Sequence, residues 1–172
     1  MGSQNTKTQK YEHIVHPFPP LYDDDSEILI LGSLPSVKSR EQMFFYGHPQ
    51  NRFWKVMSRV LGEELPTTIE EKKLMLHAHH IALWDTIYSC DIIGSSDSSI
   101  KNVIPTDLGK IISSSKVTKV ICNGKTSGKY FSKYQQKELD MEPVILPSTS
   151  PANAAFSVDK LVEIWGTTFS KV

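Results

Sequence analysis

Residues 28–55, ILILGSLPSVKSREQMFFYGHPQNRFWK, decide how the rest of this 172-residue chain is interpreted. They open with the apolar run 28–31, ILIL, which predicts a short buried strand. The turn GSLPS, 32–36, follows, where glycine permits positive φ and proline fixes φ. A long connection then carries three consecutive aromatic residues and ends in HPQN, 48–51, before a segment with helical spacing. Because ligands of open α/β sheets bind outside the carboxyl ends of the strands, this connection is a candidate site.

Length and composition predict one globular domain. The 172 residues suffice for one full core and are too few for two comfortable ones. We assign residues 11–172 to a single domain behind a flexible segment, residues 1–10, and we expect a monomer. The chain contains no run of about 18 apolar residues, so we expect no membrane span. The first ten residues lack the apolar region of a secretory signal, so we expect a cytoplasmic protein.

Charge and cysteine content narrow the function classes. The 19 basic and 19 acidic residues give a formal net charge of zero, which argues against a protein that coats nucleic acid electrostatically. Basic residues nevertheless cluster within residues 38–59, beside the candidate site. Cys90 and Cys122 lie in apolar stretches without paired spacing, so we expect reduced, buried thiols. Two thiols cannot hold a four-cysteine iron–sulfur cluster.

Strand and helix patterns alternate along the chain. Predicted strands occupy 28–31, 81–87, 119–122 and 143–146. Predicted helices occupy 52–61, 107–114, 126 to about 136 and a stretch that begins at 157, and residues 66–71 predict an N-terminal cap before a further helix that runs to about 79. Residues 11–22, with three prolines, predict an extended arm, and the polar residues 89–106 predict a long loop. The alternation predicts an α/β protein, a three-layer α/β/α sandwich with a central, mostly parallel four-stranded sheet.

Two loops leave predicted strand ends with small polar residues and proline. They are GSLPS, 32–36, and PSTSPANAAFS, 147–157. Small residues let a ligand approach backbone amides closely, and the helix after each loop directs partial positive charge towards it. This composition suits a flat, polar ligand, including an anionic one. It also suits tight turns that need glycine, proline and serine for geometry alone.

Other chemistries have little support in the sequence. It contains no GxGxxG or GxxxxGK[ST] phosphate motif and no GxSxG nucleophile elbow. His77, His79 and His80 lie at a predicted helix end without a carboxylate or cysteine at ligand spacing, so we expect no metal and no cofactor. Asp85 is a lone acid inside a predicted strand and fits a structural hydrogen bond.

Five segments, in order, carry a resemblance to a known family. They are GSLPSVKS at 32–39, FFYGHPQNRFWKVM at 44–57, LWDTIYSCDIIGSSDSSI at 83–100, NGK at 123–125 and LPSTSPANA at 146–154. Together they resemble the uracil-DNA glycosylase superfamily, in particular its hypoxanthine-DNA (deoxyinosine) glycosylase branch. The resemblance runs from about His16 to the C-terminus, and HPQNRFWKV is also similar to mismatch-specific uracil glycosylases.

The resemblance implies a monofunctional DNA glycosylase that initiates base excision repair. Such an enzyme flips a deaminated nucleotide, here deoxyinosine, out of DNA and hydrolyses its N-glycosidic bond. The transition state resembles an oxocarbenium sugar with a departing anionic base. Catalysis then needs a positioned water, dipoles that stabilise the base and an aromatic ring that stacks on it, but no lysine nucleophile.

The resemblance also implies roles for individual residues. Asn51 would carry much of the catalytic load, by holding a water or a purine edge, although an amide is a poor general base. His48 would donate to the base or pack beside Pro49. Tyr46 or Phe45 would stack on the flipped base or fill the core.

The remaining implied residues divide between the pocket and the DNA backbone. Gly32 and the backbone groups of Ser33, Leu34 and Pro35 would line the base-binding pocket, where Asn123 would reach the base edge or cap the next helix. The DNA contacts would come from Ser36, Lys38, Ser148, Ser150 and Asn153. Of these, Ser148 and Ser150 would hold the sugar or a phosphate, and Asn153 would lie on a loop that enters the duplex.

Two positions depart from the better-known uracil enzymes. Leu34 stands where those enzymes have the Asn or Asp that orients the water, and Ser148 stands where they have a His or Asn that contacts the base. Both differences argue against efficient uracil excision. Two alternatives stay open: a uracil or mismatch-specific glycosylase of the same fold, and a non-catalytic nucleic-acid binding module.

Overall fold

The computed structural model of the protein describes residues 10–169. The strands in chain order are β1 (Glu12–Val15), β2 (Ile28–Gly32), β3 (Ile81–Asp85), β4 (Ile87–Ile92), β5 (Lys101–Pro105), β6 (Lys119–Asn123) and β7 (Pro143–Leu146). The helices are α1 (Val37–Gln42), α2 (Phe53–Leu61), α3 (Ile69–Ala78), α4 (Gly109–Ser113), α5 (Lys125–Tyr134), α6 (Gln136–Leu139) and α7 (Val158–Phe169). Most of the predicted flexible segment, residues 1–9, lies outside the described residues.

The central sheet has four parallel strands in the order β3-β2-β6-β7, with helices on both faces. The predicted three-layer α/β/α sandwich is therefore confirmed. From β2 the chain first adds β3 on one side and later adds β6 on the other side. The crossovers diverge between β2 and β6, which opens a crevice at the carboxyl ends of these two strands.

Register brings particular residues to this edge of the sheet. Gly32 at the end of β2 pairs with Asp85 at the end of β3, and Asn123 at the end of β6 pairs with Leu146. The loops that follow these strands therefore meet at one end of the sheet. The two loops that the sequence predicts as ligand-binding lie among them.

Apolar periodicity explains how the layers hold together. Residues 29–31 of β2 are fully buried, as expected for the middle of a parallel sheet. On α2, Phe53, Val56 and Met57 recur at helical spacing and are also fully buried. Phe53 contacts Trp165 of α7 edge to face, with ring centroids 6.1 Å apart. The start of α2, directly after HPQN, is thus fixed by the core.

The structure contains a second sheet that the sequence patterns did not predict. β1, β4 and β5 form a three-stranded antiparallel sheet in the order β1-β4-β5. Two predictions were therefore wrong in part, because the arm 11–22 contains β1 and the loop 89–106 contains β5 and the end of β4. The predicted strand 81–87 was also wrong in its extent, since the chain changes sheets at Thr86. Short strands that depend on distant partners carry little local signal.

Two smaller features complete the frame. The connection between β2 and α2 contains the short helix α1, which the sequence reading missed, capped by the Ser36 hydroxyl. Cys90 and Cys122 are buried free thiols, as predicted. Within residues 10–169, no helix combines the length and the apolar character that a membrane span requires.

Candidate active site

A cavity of about 450 Å³ lies at the carboxyl ends of the central strands. It brings together all of the predicted site residues except His48, Lys38 and Asn153; those that line it are Gly32, Ser33, Leu34, Pro35, Ser36, Phe45, Tyr46, Asn51, Asn123, Ser148 and Ser150. The same cavity is also lined by Asp85, by Thr149 and by residues 95–98 of the loop after β4, none of which the sequence reading placed there.

A chain of side-chain hydrogen bonds crosses the cavity wall. The hydroxyl of Thr149 donates to Oδ1 of Asn51 over 2.9 Å and accepts from Nδ2 of Asn123 over 3.0 Å. Oδ1 of Asn51 also accepts the main-chain N–H of Phe53 over 2.9 Å, and Oδ1 of Asn123 accepts that of Thr149 over 3.0 Å. The chain joins the loops that follow β2, β6 and β7.

The two main-chain N–H groups fix the polarity of this chain. A backbone N–H can only donate, so the Asn51 atom facing Phe53 and the Asn123 atom facing Thr149 are both amide oxygens. The Thr149 hydroxyl, which receives a donor from Asn123, must therefore donate to Asn51. Nδ2 of Asn51 has no hydrogen-bonding partner among the described residues. It is the group that Asn51 offers to a ligand, and it is a donor only.

Tyr46 and Phe45 occupy different environments. Phe45 is 3% exposed and packs edge to face with Phe18, so its ring belongs mainly to the core. Tyr46 is partly buried, and one face of its ring stacks on Phe53 with centroids 4.0 Å apart. Its φ of 54° is unusual for an aromatic residue. Of the two predicted stacking residues, Tyr46 is the one that is only partly buried, at the edge of the core.

Asp85 places a carboxylate at the inner end of the cavity. The residue is 4% exposed, and its Oδ2 accepts a hydrogen bond from Nε2 of the buried His16 over 2.7 Å. Oδ1 has no hydrogen-bonding partner among residues 10–169. A Cβ built on Gly32 would lie 2.6 Å from this Oδ1 and 3.3 Å from the hydroxyl of Tyr46. Glycine is therefore required at position 32, because it leaves room for the two oxygens that meet beside it.

The Tyr46 hydroxyl is a hydrogen-bond donor at physiological pH. Burial raises the pKa of this hydroxyl well above its ordinary value, and the neighbouring charge of Asp85 raises the pKa further. The side-chain amide of Asn123 lies close enough to oppose part of this rise in pKa, but the buried oxygen makes no hydrogen bond of good geometry with the residues described. The inner end of the cavity thus presents one free donor, Tyr46, beside one free acceptor, Asp85.

The outer wall is formed by the loop after β7. The hydroxyls of Ser148 and Ser150 accept the N–H groups of Ser150 and Ala152, which leaves their own protons free to donate. Gly124 adopts a φ of 100°, and a Cβ on it would lie 3.0 Å from that of Ser148. This close approach requires glycine before α5.

Three predicted residues lie outside the cavity lining. Nδ1 of His48 accepts a hydrogen bond from the main-chain N–H of Gln50, so the ring stabilises the turn that precedes Asn51. Lys38 is exposed on α1, 3.6 Å from Glu41. Asn153 donates from Nδ2 to the carbonyl of Ser148 over 3.0 Å, so this side chain stabilises the loop itself.

The fold and the site define an α/β/α protein with a crevice lined by polar groups at the switch point of its sheet. Residues 19–167 match the uracil DNA glycosylase superfamily, and the chain belongs to this superfamily.

Two relatives and one solved structure are similar to most of the chain. A hypoxanthine DNA glycosylase of Methanosarcina acetivorans is 36% identical over 154 residues, 88% of this chain and 96% of that protein. A hypoxanthine DNA glycosylase of Methanosarcina barkeri is 36% identical over 138 residues, 79% of this chain and 86% of that protein. The solution NMR structure of a Methanosarcina acetivorans protein, described as a candidate uracil DNA glycosylase, superposes with a TM-score of 0.77 at 33% identity and covers 91% of this chain and 97% of that one.

Removing the Thr149 hydroxyl tests the hydrogen-bond chain. Thr149→Val keeps the side-chain volume but leaves Nδ2 of Asn123 without its acceptor and takes from Oδ1 of Asn51 one of its two donors. We expect the free energy of unfolding to fall by about 1–3 kcal/mol. Thr149→Ser keeps the hydroxyl and should cost only about 1 kcal/mol through the lost methyl. Denaturant unfolding measures both values, and equal costs for the two variants would contradict the network.

Proposed function

We propose that this protein is a monofunctional DNA glycosylase that flips deoxyinosine out of DNA and releases hypoxanthine by hydrolysis. The observation that carries the proposal is the fixed orientation of Asn51, whose oxygen is held by two donors while Nδ2 is left for a ligand. The substrate is DNA that contains a deaminated base, and the product is an abasic site for base excision repair.

Asn51 acts on the leaving base. As the N-glycosidic bond breaks, its electron pair moves into the purine, and negative charge develops on the ring nitrogens. A preorganised donor at such a position stabilises the transition state more than the ground state. Nδ2 of Asn51 supplies this donor. Water adds its oxygen to C1′ of the sugar, and the protons it carries end on the new hydroxyl and on hypoxanthine.

The orientation also limits what Asn51 does to water. Because Oδ1 already accepts two hydrogen bonds, Asn51 is poorly placed to accept a proton from water, and an amide is a poor base in any case. Leu34, in the position where related uracil enzymes orient water, offers no polar atom. The attacking water therefore meets an oxocarbenium-like sugar that is already well developed, which needs little activation of the nucleophile.

Asp85 and Tyr46 read the edge of the base. Hypoxanthine presents an N1–H donor next to its O6 acceptor. The free Oδ1 of Asp85 accepts from N1–H, and the neutral hydroxyl of Tyr46 donates to O6. Adenine presents a ring acceptor and an amino donor at the same positions and so mismatches both groups. Uracil and xanthine share the N–H and carbonyl pattern, so size and shape must separate them from hypoxanthine.

The outer residues hold the DNA. Ser148 and Ser150 line the cavity with hydroxyl groups whose protons can bind the sugar or a phosphate. Ser36, which caps α1 and lines the cavity, and Lys38, which is exposed on α1, add DNA contacts, and Asn153 lies on the loop that enters the duplex. The two relatives of Methanosarcina, both named hypoxanthine DNA glycosylases, support the choice of base.

A panel of lesions tests the proposed activity. Duplexes carrying deoxyinosine, uracil, xanthine or no lesion are incubated with the protein, and abasic sites are cleaved with alkali. We expect strand breaks at deoxyinosine. Breaks at uracil alone would favour a uracil glycosylase of the same fold, and no breaks on any duplex would favour a binding module.

Two substitutions of Asn51 separate a donor from an acceptor. Asn51→Ala should lower the single-turnover rate on deoxyinosine by about 100-fold or more, as loss of one preorganised donor does in other enzymes. Asn51→Asp keeps the oxygen that binds Phe53 and Thr149 but replaces Nδ2 with a second acceptor. We expect it to be at least as slow as Asn51→Ala. A faster Asn51→Asp enzyme would instead mean that position 51 activates water.

Asp85→Asn tests how the base edge is read. Nε2 of His16 needs an acceptor, so the amide oxygen of the variant should face His16 and its Nδ2 should face the base. A donor would then oppose the N1–H of hypoxanthine. We expect excision of hypoxanthine to fall by about 100-fold. Asp91→Asn is the matched control, because that carboxylate pairs with His13 outside the cavity; equal losses in both variants would contradict the proposed reading.

A further inference from the structure

One guanidinium group holds the loop that follows β7. Nε of Arg52 donates to the carbonyl of Thr149 over 3.2 Å, one terminal nitrogen donates to Ser150 over 2.7 Å and Asn153 over 3.1 Å, and the other donates to Phe156. The main-chain N–H of Arg52 also donates to the carbonyl of Thr149 over 3.0 Å. A single residue therefore binds four carbonyls spread over the loop 147–157.

Only an arginine can make this set of contacts. Its planar guanidinium presents donors in several fixed directions, whereas a lysine ammonium is one compact centre. Arg52 lies immediately before α2, so its position is fixed by the packing of Phe53 in the core. Within residues 10–169 it forms no ion pair with an acid. Its charge is directed entirely at main-chain carbonyls.

The loop has two parts with different support. Its first part, around Thr149, is also held by Asn51 and Asn123. Its second part, 150–156, makes short internal hydrogen bonds, such as Asn153 N–H to Ser150 and Phe156 N–H to Asn153. Asn153 bonds the carbonyl of Ser148 and Phe156 packs on the core, and the guanidinium adds hydrogen bonds to three carbonyls of these turns, at Ser150, Asn153 and Phe156. Loss of the guanidinium should therefore loosen residues 150–156 while the Asn51 network stays in place.

We propose that Arg52 is a positioning residue for base flipping, which holds residues 150–156 in the shape that enters the duplex. The proposal rests on the proposed function. Extrusion of a paired base costs a few kcal/mol, and least for a base that is already unpaired. A loop that is ordered beforehand recovers part of that cost, whereas a loose loop must first lose conformational entropy. Arg52 should thus matter for paired deoxyinosine and much less for unpaired deoxyinosine.

The test compares two duplexes and three variants. Deoxyinosine is placed opposite cytosine or opposite a position that lacks a base, and single-turnover rates are measured at saturating protein, so that weaker binding does not contribute. Arg52→Gln removes the positive charge. Arg52→Lys keeps the positive charge but lacks the planar guanidinium with its several donors. Arg59→Gln is the matched control, because Arg59 is exposed on the helix that follows Arg52, and its one ion pair within residues 10–169 is with the exposed Asp159.

We expect both Arg52 variants to be about 30-fold or more slower on the paired substrate and within about 3-fold of wild type on the unpaired one. Arg59→Gln should stay within about 2-fold on both, as expected for an exposed ion pair. Equal losses on the two substrates, or no loss on either, would overturn the proposal. Merely destabilised variants would show equal losses together with a lower unfolding midpoint.

A second readout does not depend on activity. Amide hydrogen exchange of residues 150–156 should be faster in Arg52→Gln than in wild type, with exchange of α2 unchanged. Unchanged protection of 150–156 would overturn the role of Arg52 even if the wild-type protein released no base. A wild-type protein that releases no base from either duplex would count against the proposed function instead, so the two failures are distinguishable.

Discussion

The hydrogen bond from the Thr149 hydroxyl to Oδ1 of Asn51 is the interaction on which the site depends. It links residues 98 positions apart, and its direction follows from two main-chain N–H groups that can only donate. Because the direction is fixed, the loops after β2, β6 and β7 are joined in one arrangement, and Nδ2 of Asn51 is left without a partner among residues 10–169. A buried chain of this kind specifies geometry well, since reversal of any member would leave a polar group unpaired.

Under the proposed function, the polar groups left unpaired around the cavity suit a flat, neutral base. The inner end of the cavity offers the acceptor of Asp85 beside the donor of Tyr46, and Asn51 offers a second donor. None of these three groups is a cationic side chain, so binding of the base does not require an excess of positive charge. The formal net charge of the chain is zero, which is consistent with this. DNA contacts would then depend on hydroxyl groups, on a few basic residues near the mouth, and on the loop that Arg52 holds.

Much of this architecture could be predicted from sequence, and the elements that could not be predicted share identifiable physical reasons. Strands such as 143–146 are continuous apolar runs between turn residues, so periodicity alone locates them. β1 and β5 have no such pattern, because their stability comes from pairing with β4. Asp85 looked like an isolated acid, and only the register of β3 beside Gly32 and the arrival of His16 from the N-terminal segment place it in the cavity. Thr149 gave no chemical signal, although its position between two predicted serines on a strand-end loop could have raised it as a candidate.

Pairing a protein variant with base analogues tests most directly whether Nδ2 of Asn51 donates to the departing base. Single-turnover excision is measured for wild type and Asn51→Ala on deoxyinosine and on its 3-deaza and 7-deaza analogues, in which C–H replaces one ring nitrogen. If Nδ2 of Asn51 donates to a ring nitrogen of the departing base, the ratio of wild-type to variant rate is about 100 on deoxyinosine and falls close to 1 on one of the two analogues. The same ratio on all three bases would contradict the account.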